Sequence, residues 1–451
     1  MRTLSIILYI AIGLLPIPFL LTEIDAILIV SFLLVSITLC LLFITLDRYG
    51  NIVNSAVLVF FSLFFLLAPL LQLSVNGYQL VNTLPLDNEI AIKSNILVLI
   101  FLLIYGISFI RFSKSITKDI IVHTNNNSPK FHYLLYFLAL VAAMHAATSI
   151  LSGGAVTDGE TDNLRQVLTI KTLYLFPYVC FAYIYYNKKI PLRPFLLITL
   201  IFFLLITKNF FFERRNALGP IYLSLILIFF PSIAENTKKF TLLLFFAMVI
   251  GFPAVSVLTH QNSYTTVISF DGVLREIGNH FLDLHYDAWA NLNATVLYVE
   301  SNGHTFGKQI LGTLLVFIPR SLYATKASPT GEVIGNYLME YYGMWFNNLS
   351  TPIVAEGYID FGTGGVLILA ILTGFFVSYS KKIQQTRTLP RRLIYLYLSL
   401  YIMFILRGAL MPSIAYFWGA VSAIYIIPTI LQKFIYRSNT KPLEMTKPHQ
   451  N

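Results

Sequence analysis

The sequence predicts an all-α polytopic integral membrane protein with about twelve transmembrane helices. Of its 451 residues, 57% are hydrophobic and only 12% are charged, whereas soluble globular proteins carry roughly 25% charged residues. The mean hydropathy is +0.72, and a succession of apolar runs follows along the whole chain. These observations exclude a soluble enzyme, a disordered chain and a protein with a large water-soluble domain.

Apolar windows of about 19 residues locate the spans. The first run follows Arg2 and has no clear small-x-small cleavage site, so we expect a retained span rather than a signal peptide. The predicted spans lie near residues 3–21, 27–46, 52–74, 94–112, 133–151, 172–187, 194–207, 216–233, 240–258, 357–380, 393–406 and 413–432.

The basic residues indicate how these spans are oriented. With the N-terminus in the cytoplasm, the inner segments hold 20 of the 31 Lys and Arg residues, which is the distribution expected for bacterial and other membrane proteins. Both termini are therefore predicted to be cytoplasmic. The net charge of +10 follows from this orientation and does not indicate a nucleic-acid partner.

The longest segment between spans, residues 259–352, is predicted on the outer side. It separates the first nine helices (residues 1–258) from the last three (353–435), and residues 436–451 form a cytoplasmic tail. So long a loop is unusual unless it is functional. Within it, His280–Val299 has the pattern of an amphipathic helix, and Gln309–Ile318 is too short to cross a bilayer and is expected at the interface. Function is therefore predicted to face outward.

Arg407 is the basic residue that the membrane should tolerate least. Only 14 residues (393–406) separate it from the cytoplasmic side, and a helix of that length spans roughly 21 Å, less than a hydrocarbon core of about 30 Å. A charge at this depth should face a cavity or a partner. The alternative is a structural arginine that binds helix-end carbonyls or extends to the interface.

Other outer basic residues have similar alternatives. Arg214 and Arg215 lie at the outer mouth of the seventh and eighth spans, where Glu213 could simply balance their charge. Arg320 follows Pro319, which blocks helix continuation, and Lys326 lies six residues further on. A membrane-surface anchor is the alternative for Arg320.

One carboxylate and two histidines are candidate catalytic groups. Glu356 lies in STPIVAEGYIDFGTGG, whose glycines predict a break in the helix or close helix packing; a solvated acid at a helix start is the alternative. His280 shares a helical face with Asp283 and Asp287. This face could bind a metal, but a solvated surface is the simpler interpretation. His304, in NGHTFGKQ, is a candidate base or carbohydrate contact.

Several arginines beside a carboxylate at the outer membrane face suit a particular ligand. Arginine forks match phosphate oxygens bidentately, and the lipid at that depth with such a head group is a polyprenyl diphosphate. If the diphosphate is a leaving group, arginines that hold its developing charge also promote the reaction. A carboxylate or histidine would activate the attacking hydroxyl.

In these features the sequence resembles the bacterial O-antigen repeat-unit polymerases, including the enterobacterial common antigen type. The resemblance covers most of the chain. It rests on FFERRNALG near the seventh and eighth spans, a large late outer loop ending in VFIPRSLYATKAS, then LSTPIVAEGYIDFGTGGVLIL, and the late LRGALMPS.

The resemblance implies a GT-C-like glycosyltransferase of the bacterial inner membrane whose active site faces the periplasm. It would transfer a growing glycan from undecaprenyl diphosphate to a second lipid-linked repeat unit, with no cofactor and no metal, beside a chain-length regulator protein. Under it, Arg214 or Arg215, Arg320, Arg407 and Lys326 would bind diphosphate, and Glu356, with His304 and His280 behind it, would be the base or orient the acceptor.

Two other functions remain open at the level of the sequence. An O-antigen ligase passes the finished glycan to lipid A–core, with a similar topology and usually a histidine in the large loop. A lipid-linked oligosaccharide flippase would also suit twelve spans with both ends inside. A flippase, however, should carry charges at several depths, whereas the charges singled out above cluster at one face.

Overall fold

The structure, a computed structural model, describes residues 2–75, 78–80, 83–114, 129–152, 170–188, 190–209, 215–253, 278–282, 284–318, 322–385 and 388–439. Helices account for most of these residues, and one short antiparallel ribbon pairs β1 (Tyr78–Gln79) with β2 (Leu84–Pro85). The helices are α1 (Arg2–Leu14), α2 (Ala26–Leu46), α3 (Ile52–Ser62), α4 (Ala68–Val75), α5 (Asn88–Lys114), α6 (Pro129–Leu151), α7 (Phe176–Tyr186), α8 (Arg193–Thr207), α9 (Arg215–Phe229), α10 (Pro231–Ala234), α11 (Thr237–Phe246), α12 (Ala288–Asn302), α13 (Lys308–Leu314), α14 (Thr330–Tyr342), α15 (Ile353–Gln385), α16 (Leu389–Arg407), α17 (Leu410–Val421) and α18 (Ile427–Asn439).

Within the described residues, eight helical stretches are long and apolar enough to cross a membrane. The protein is therefore an all-α polytopic membrane protein, as predicted. The eight stretches are Thr3–Leu21, Ala26–Tyr49, Ile52–Val75, Asn88–Lys114, Pro129–Leu151, Ile353–Gln384, Leu389–Arg407 and Leu410–Ile435. They coincide with the first five and the last three predicted spans.

The four middle runs fold as the shorter helices α7, α8, α9 and α11. Pro177 and Pro194 lie in the first turns of α7 and α8, where a residue without an N–H is tolerated because that turn has free donors anyway. The prolines thus limit how far these helices extend. The total of twelve spans stays a prediction.

The chain divides into two compact units. The first comprises Met1–Asp119, Tyr222–Gln385 and Tyr395–Ala415, and the second comprises Ile120–Ile221, Thr386–Ile394 and Tyr416–Asn451. Among the described candidate residues, the first unit contains Arg407, Glu356, His280, His304 and Lys326, and the second contains Arg215.

Helix α3 is the core of the first unit, since each of its residues is buried. It continues into α4 through a π-helical segment, Leu63–Leu67. A second π-helical segment, Ala247–Gly251, follows α11. Such wide turns interrupt the regular backbone hydrogen bonding of a helix and are frequent at functional sites.

The described part of the long loop over residues 259–352 contains helices, but the predicted continuous helix over His280–Val299 is wrong. The chain makes a 3₁₀ turn at Leu284–Tyr286, and α12 begins only at Ala288. All residues from Ala288 to Val296 are buried, so α12 is an interior helix rather than an amphipathic one. The polar residues that suggested a solvated face, Asn291, Asn293 and Thr295, lie instead in the protein interior.

Helix α15 contains the break that its glycines predict. Phe361 and Gly362 depart from helical geometry, with φ −138° and +59°. A Cβ placed on Gly357 would lie 2.7 Å from the carbonyl oxygen of Gly365, although residues eight apart in a straight helix are about 12 Å apart. Residues 353–360, the short arm, therefore fold back against residues 363–385, the long arm, and only glycines permit this approach.

Helices α6, α7 and α8 build the second unit. Tyr174 packs against Ala142 and Ala146, and its hydroxyl lies 2.8 Å from His145 Nδ1 in a hydrogen bond. The ammonium group of Lys208, a buried residue, lies 5.7 Å from the centre of the Tyr174 ring. A polar, partly cationic cluster therefore lies among the apolar helices of this unit.

Candidate functional site

Arg407, the last residue of α16, is held by residues of the long loop that precedes α15. Its Nη2 donates to Asp287 Oδ1 at 2.9 Å and to the carbonyl of Leu284 at 3.0 Å. Its guanidinium carbon lies 5.9 Å from the centre of the Phe64 ring. Its Nε is buried and has no hydrogen-bond partner among the described residues. Two hydrogen bonds are thus fixed by the protein, while a quarter of the side chain stays exposed and leaves guanidinium N–H groups for another acceptor.

Asp287 is the residue that orients this arginine. It also accepts a hydrogen bond from Ser350 Oγ at 2.8 Å, and Asn291 Nδ2 donates to the Ser350 carbonyl at 2.7 Å. The Asp287 side chain is only 6% exposed, against 25% for Arg407. The expectation of a solvated face is therefore wrong for Asp287, because the neighbouring elements cover it.

Tyr286 connects Arg407 with His280. The Tyr286 ring lies 4.9 Å from Phe64 and 5.6 Å from His280, and its hydroxyl donates to the carbonyl of Met248 at 3.1 Å. Phe64 and Met248 belong to the two π-helical segments of this unit. Burial raises the pKa of Tyr286, and the positive charge of Arg407 opposes that shift.

His280 is therefore part of the same cluster, and it is buried. Its ring lies 4.9 Å from that of His285 and 5.4 Å from that of Phe252. The expected solvated face is wrong for His280 as well. Asp283, the third member of that face, lies outside the described residues.

Glu356 is buried on the short arm, with 2% of its surface exposed. Its Oε2 accepts from Thr330 Oγ1 at 2.7 Å and its Oε1 from the Leu410 N–H at 2.8 Å. The alternative of a solvated acid at a helix start is therefore wrong. Glu356 instead joins the first residues of α14 and α17, where free N–H groups favour a negative charge.

Arg407 and Glu356 act on the same short turn. Residues 407–410 connect α16 to α17, so Asp287 holds the beginning of the turn through Arg407 and Glu356 holds its end through Leu410. We call Arg407, Asp287, Ser350 and Glu356 the turn cluster. Two of its members were candidate site residues from the sequence, and the fold brings them to one place.

Asp360 lies one helical turn beyond Glu356 and is also buried. It accepts from the N–H groups of Gln309 at 3.1 Å and Ile310 at 2.8 Å, and from Thr305 Oγ1. A carboxylate in this position caps α13 and attaches it to the short arm. His304 lies beside this attachment, with its ring against Tyr358 and Gly362.

The remaining basic candidates are placed differently. Lys326 Nζ donates to the carbonyls of Val316 at 2.8 Å and Ile318 at 3.2 Å, so it stabilises the turn that follows α13. Arg214 and Arg320 lie outside the described residues. Arg215 begins α9, and its side chain is not described.

Sequence reasoning missed the role of Asp287 and two buried cations of the second unit, Lys171 and Lys208. Lys171 lies with its ammonium group 4.5 Å from the centre of the Tyr416 ring. Their signal was present, since each lysine stands at one end of a short apolar run, as Arg407 does. The partner of Arg407 had no such signal, because Asp287 is 120 residues away in the chain.

Among the residues described, no group of three or more His, Cys, Asp and Glu side chains is arranged to hold a metal ion. The expectation of a metal-independent reaction remains a prediction. Comparison with family models, curated proteins and solved structures gives no match.

Proposed function

We propose that this protein is a membrane glycosyltransferase of the O-antigen polymerase type. It would join undecaprenyl-diphosphate-linked oligosaccharide repeat units at the periplasmic face of the bacterial inner membrane. The observation that carries the proposal is Arg407, which is oriented by Asp287 and keeps a quarter of its side chain exposed. Such a group is suited to an anionic head group at membrane depth.

In the proposed reaction, a hydroxyl of the acceptor sugar attacks the anomeric carbon of the donor sugar. The new glycosidic C–O bond forms as the bond from that carbon to the diphosphate oxygen breaks, and the diphosphate leaves with the electron pair. Arg407 would stabilise the charge that develops on the leaving diphosphate. A nearby base would take the hydroxyl proton, and Glu356 is the first candidate.

The contacts of Glu356 suggest a second role for the same residue. Because it holds Leu410, it also sets the position of the turn that carries Arg407. Glu356→Gln separates the two roles, since the amide oxygen can still accept from Leu410 but the side chain cannot take a proton. If Glu356 is the base, both Glu356→Gln and Glu356→Ala should lose turnover. If Glu356 only positions the turn, Glu356→Ala alone should be inactive.

A gel assay of the purified protein tests the function itself. The substrate is a synthetic undecaprenyl-diphosphate repeat unit, and the products are separated by length. A ladder of lengthening products is the expected result. Movement of the intact lipid across proteoliposomes without a ladder would instead make the protein a transporter, and no product of any kind would contradict the proposal.

One observation favours an O-antigen ligase as a second candidate. His304 lies in the large outer loop with its Nδ1 buried and without a partner among the described residues, and ligases usually place a histidine in that loop. Adding lipid A–core to the assay distinguishes the two enzymes. A polymerase makes the ladder without it, whereas a ligase forms a product only when it is present.

A further inference from the structure

Two turns of unusual backbone conformation meet beside the short arm. In the first, Gly303, Phe306 and Gly307 have φ values of +80°, +50° and +84°; in the second, Gly362 has φ +59°. Phe306 is the informative residue, because a left-handed backbone conformation is unfavourable for a residue with a side chain. Strain of this kind persists only where surrounding contacts enforce it, and it concentrates at functional sites.

The contacts that enforce the strain are visible. The N–H groups of Thr305 and Phe306 donate to the carbonyls of Ile359 and Asp360 at 2.9 and 3.0 Å. The Asp360 carboxylate then fixes the start of α13, as described above. The first turn is therefore attached on both sides to the short arm, and the backbone of Phe306 is held in its left-handed conformation.

This arrangement displays two aromatic rings. Phe306 is 81% exposed and Phe361 is 45% exposed. A Cβ on Gly307 would lie 2.7 Å from Phe361 Cζ, so the Phe361 ring lies directly over the first turn. Because Gly307 follows Phe306 directly in the chain, the two turns present two exposed aromatic rings at neighbouring positions.

Polar groups lie near the first turn, where the ring of His304 is 6.5 Å from that of Phe306. The ring of His304 lies 5.8 Å from that of Tyr358, and its Nδ1 is buried without a partner in the described part of the chain. Lys93 Nζ lies 5.7 Å from the centre of the Tyr358 ring and pairs with Glu300 at 2.7 Å. Both charged side chains are 43% exposed and remain accessible to a ligand.

We propose that His304, Phe306, Phe361 and the Lys93–Glu300 pair form a sugar-binding subsite for the acceptor glycan. We call it the platform. The proposal rests on the proposed function and adds a place for the acceptor. A pyranose ring offers one C–H face, which stacks on an aromatic ring, and hydroxyl groups, which bind imidazole, ammonium and carboxylate groups.

The position of the platform suits this role. Asp360, which anchors it, follows Glu356 by four residues, or about 6 Å along the short arm. A glycan bound at the platform can thus extend toward the turn cluster. A purely membrane-anchoring role for the rings would explain their exposure, but it gives no role to the accessible Lys93–Glu300 pair.

Binding of a free oligosaccharide tests the platform directly. The probe is the oligosaccharide released by mild acid from the diphospholipid-linked pool of the bacterium that makes the protein, titrated against purified protein by saturation-transfer NMR. Phe306→Gly removes the ring and also relieves the positive φ, so it should fold at least as well as the parent protein. We expect its Kd to rise about tenfold, the equivalent of 1.4 kcal/mol, and that of His304→Ala to rise similarly.

Phe202→Ala is the matched control, since Phe202 is 61% exposed on α8 and belongs to the other unit. Its Kd should equal that of the parent protein. Absence of binding by the parent protein, or Kd values within twofold for both platform variants, would overturn the proposal. So would a Phe306→Gly protein that binds the sugar normally and only loses affinity for liposomes.

The ladder assay keeps this result separate from the proposed function. A parent protein that makes a ladder, with platform variants that bind the sugar normally, contradicts the platform alone. A parent protein that binds the oligosaccharide through the platform but makes no ladder contradicts the polymerase alone.

Discussion

Replacing Asp287 by alanine would remove the carboxylate that orients Arg407. Asp287 Oδ1 accepts two hydrogen bonds, from Arg407 at 2.9 Å and Ser350 at 2.8 Å. Separating a buried ion pair costs about 3–5 kcal/mol. Because Arg407 keeps a quarter of its side chain exposed and regains some hydration, we expect the free energy of unfolding to fall by an amount near the lower limit, about 3 kcal/mol. Asp287→Asn keeps an acceptor oxygen and should lose only about 1–2 kcal/mol.

Equilibrium unfolding in mixed micelles, followed by tryptophan fluorescence, measures these losses. Trp289, fully buried two residues from Asp287, reports on the same region. Glu300→Ala is the matched control, because the Lys93–Glu300 pair is much more exposed and such pairs contribute about 0–1 kcal/mol. Asp287→Ala within 1 kcal/mol of the parent protein, or no worse than Glu300→Ala, would refute the assignment of Asp287 as the buried partner of Arg407.

Three further outcomes are expected. Gly362→Ala should lower the free energy of unfolding by about 1–3 kcal/mol, because φ +59° with ψ −142° suits only glycine. Gly364→Ala is the control, since a Cβ there would meet open space, and it should be neutral or stabilising. Equal losses of stability in the two variants would contradict the turn geometry. Asp360→Ala removes a helix cap, so it should lower the free energy of unfolding by about 1–2 kcal/mol and expose the peptide bonds of residues 305–310 to proteolysis. Unchanged cleavage would argue against the attachment of α13 to the short arm. A chelator in the gel assay should leave the product ladder intact, and restoration of a lost ladder by a divalent metal would show that a metal takes part.

The fold class and eight spans followed from the sequence because apolar length is a local property of the chain. The break in α15 was also predictable, since Gly357, Gly362, Gly364 and Gly365 lie within nine residues. That the short arm reverses direction was not, because the sequence does not state which backbone each glycine approaches.

The candidate site was predictable only in part, for a related reason. Arg407 and Glu356 stand out because a charge in an apolar context is unfavourable wherever it lies. Asp287 looked like a solvated residue, because the pattern of α12 shows which residues share a face but not that other elements cover it. Partners 54 and 120 residues apart in the chain, such as Glu356 with Leu410 and Arg407 with Asp287, become visible only in three dimensions.

Binding of undecaprenyl diphosphate to the purified protein tests the central claim most directly, which is that Arg407 binds the diphosphate of a polyprenyl-linked glycan. Arg407→Lys keeps the positive charge beside Asp287 but loses the fork that matches two phosphate oxygens, and uncharged undecaprenol serves as the control ligand. We predict that the Kd for undecaprenyl diphosphate rises about tenfold or more in Arg407→Lys, while the affinity for undecaprenol is unchanged. Equal affinity of the parent protein and Arg407→Lys for the diphosphate would contradict the account.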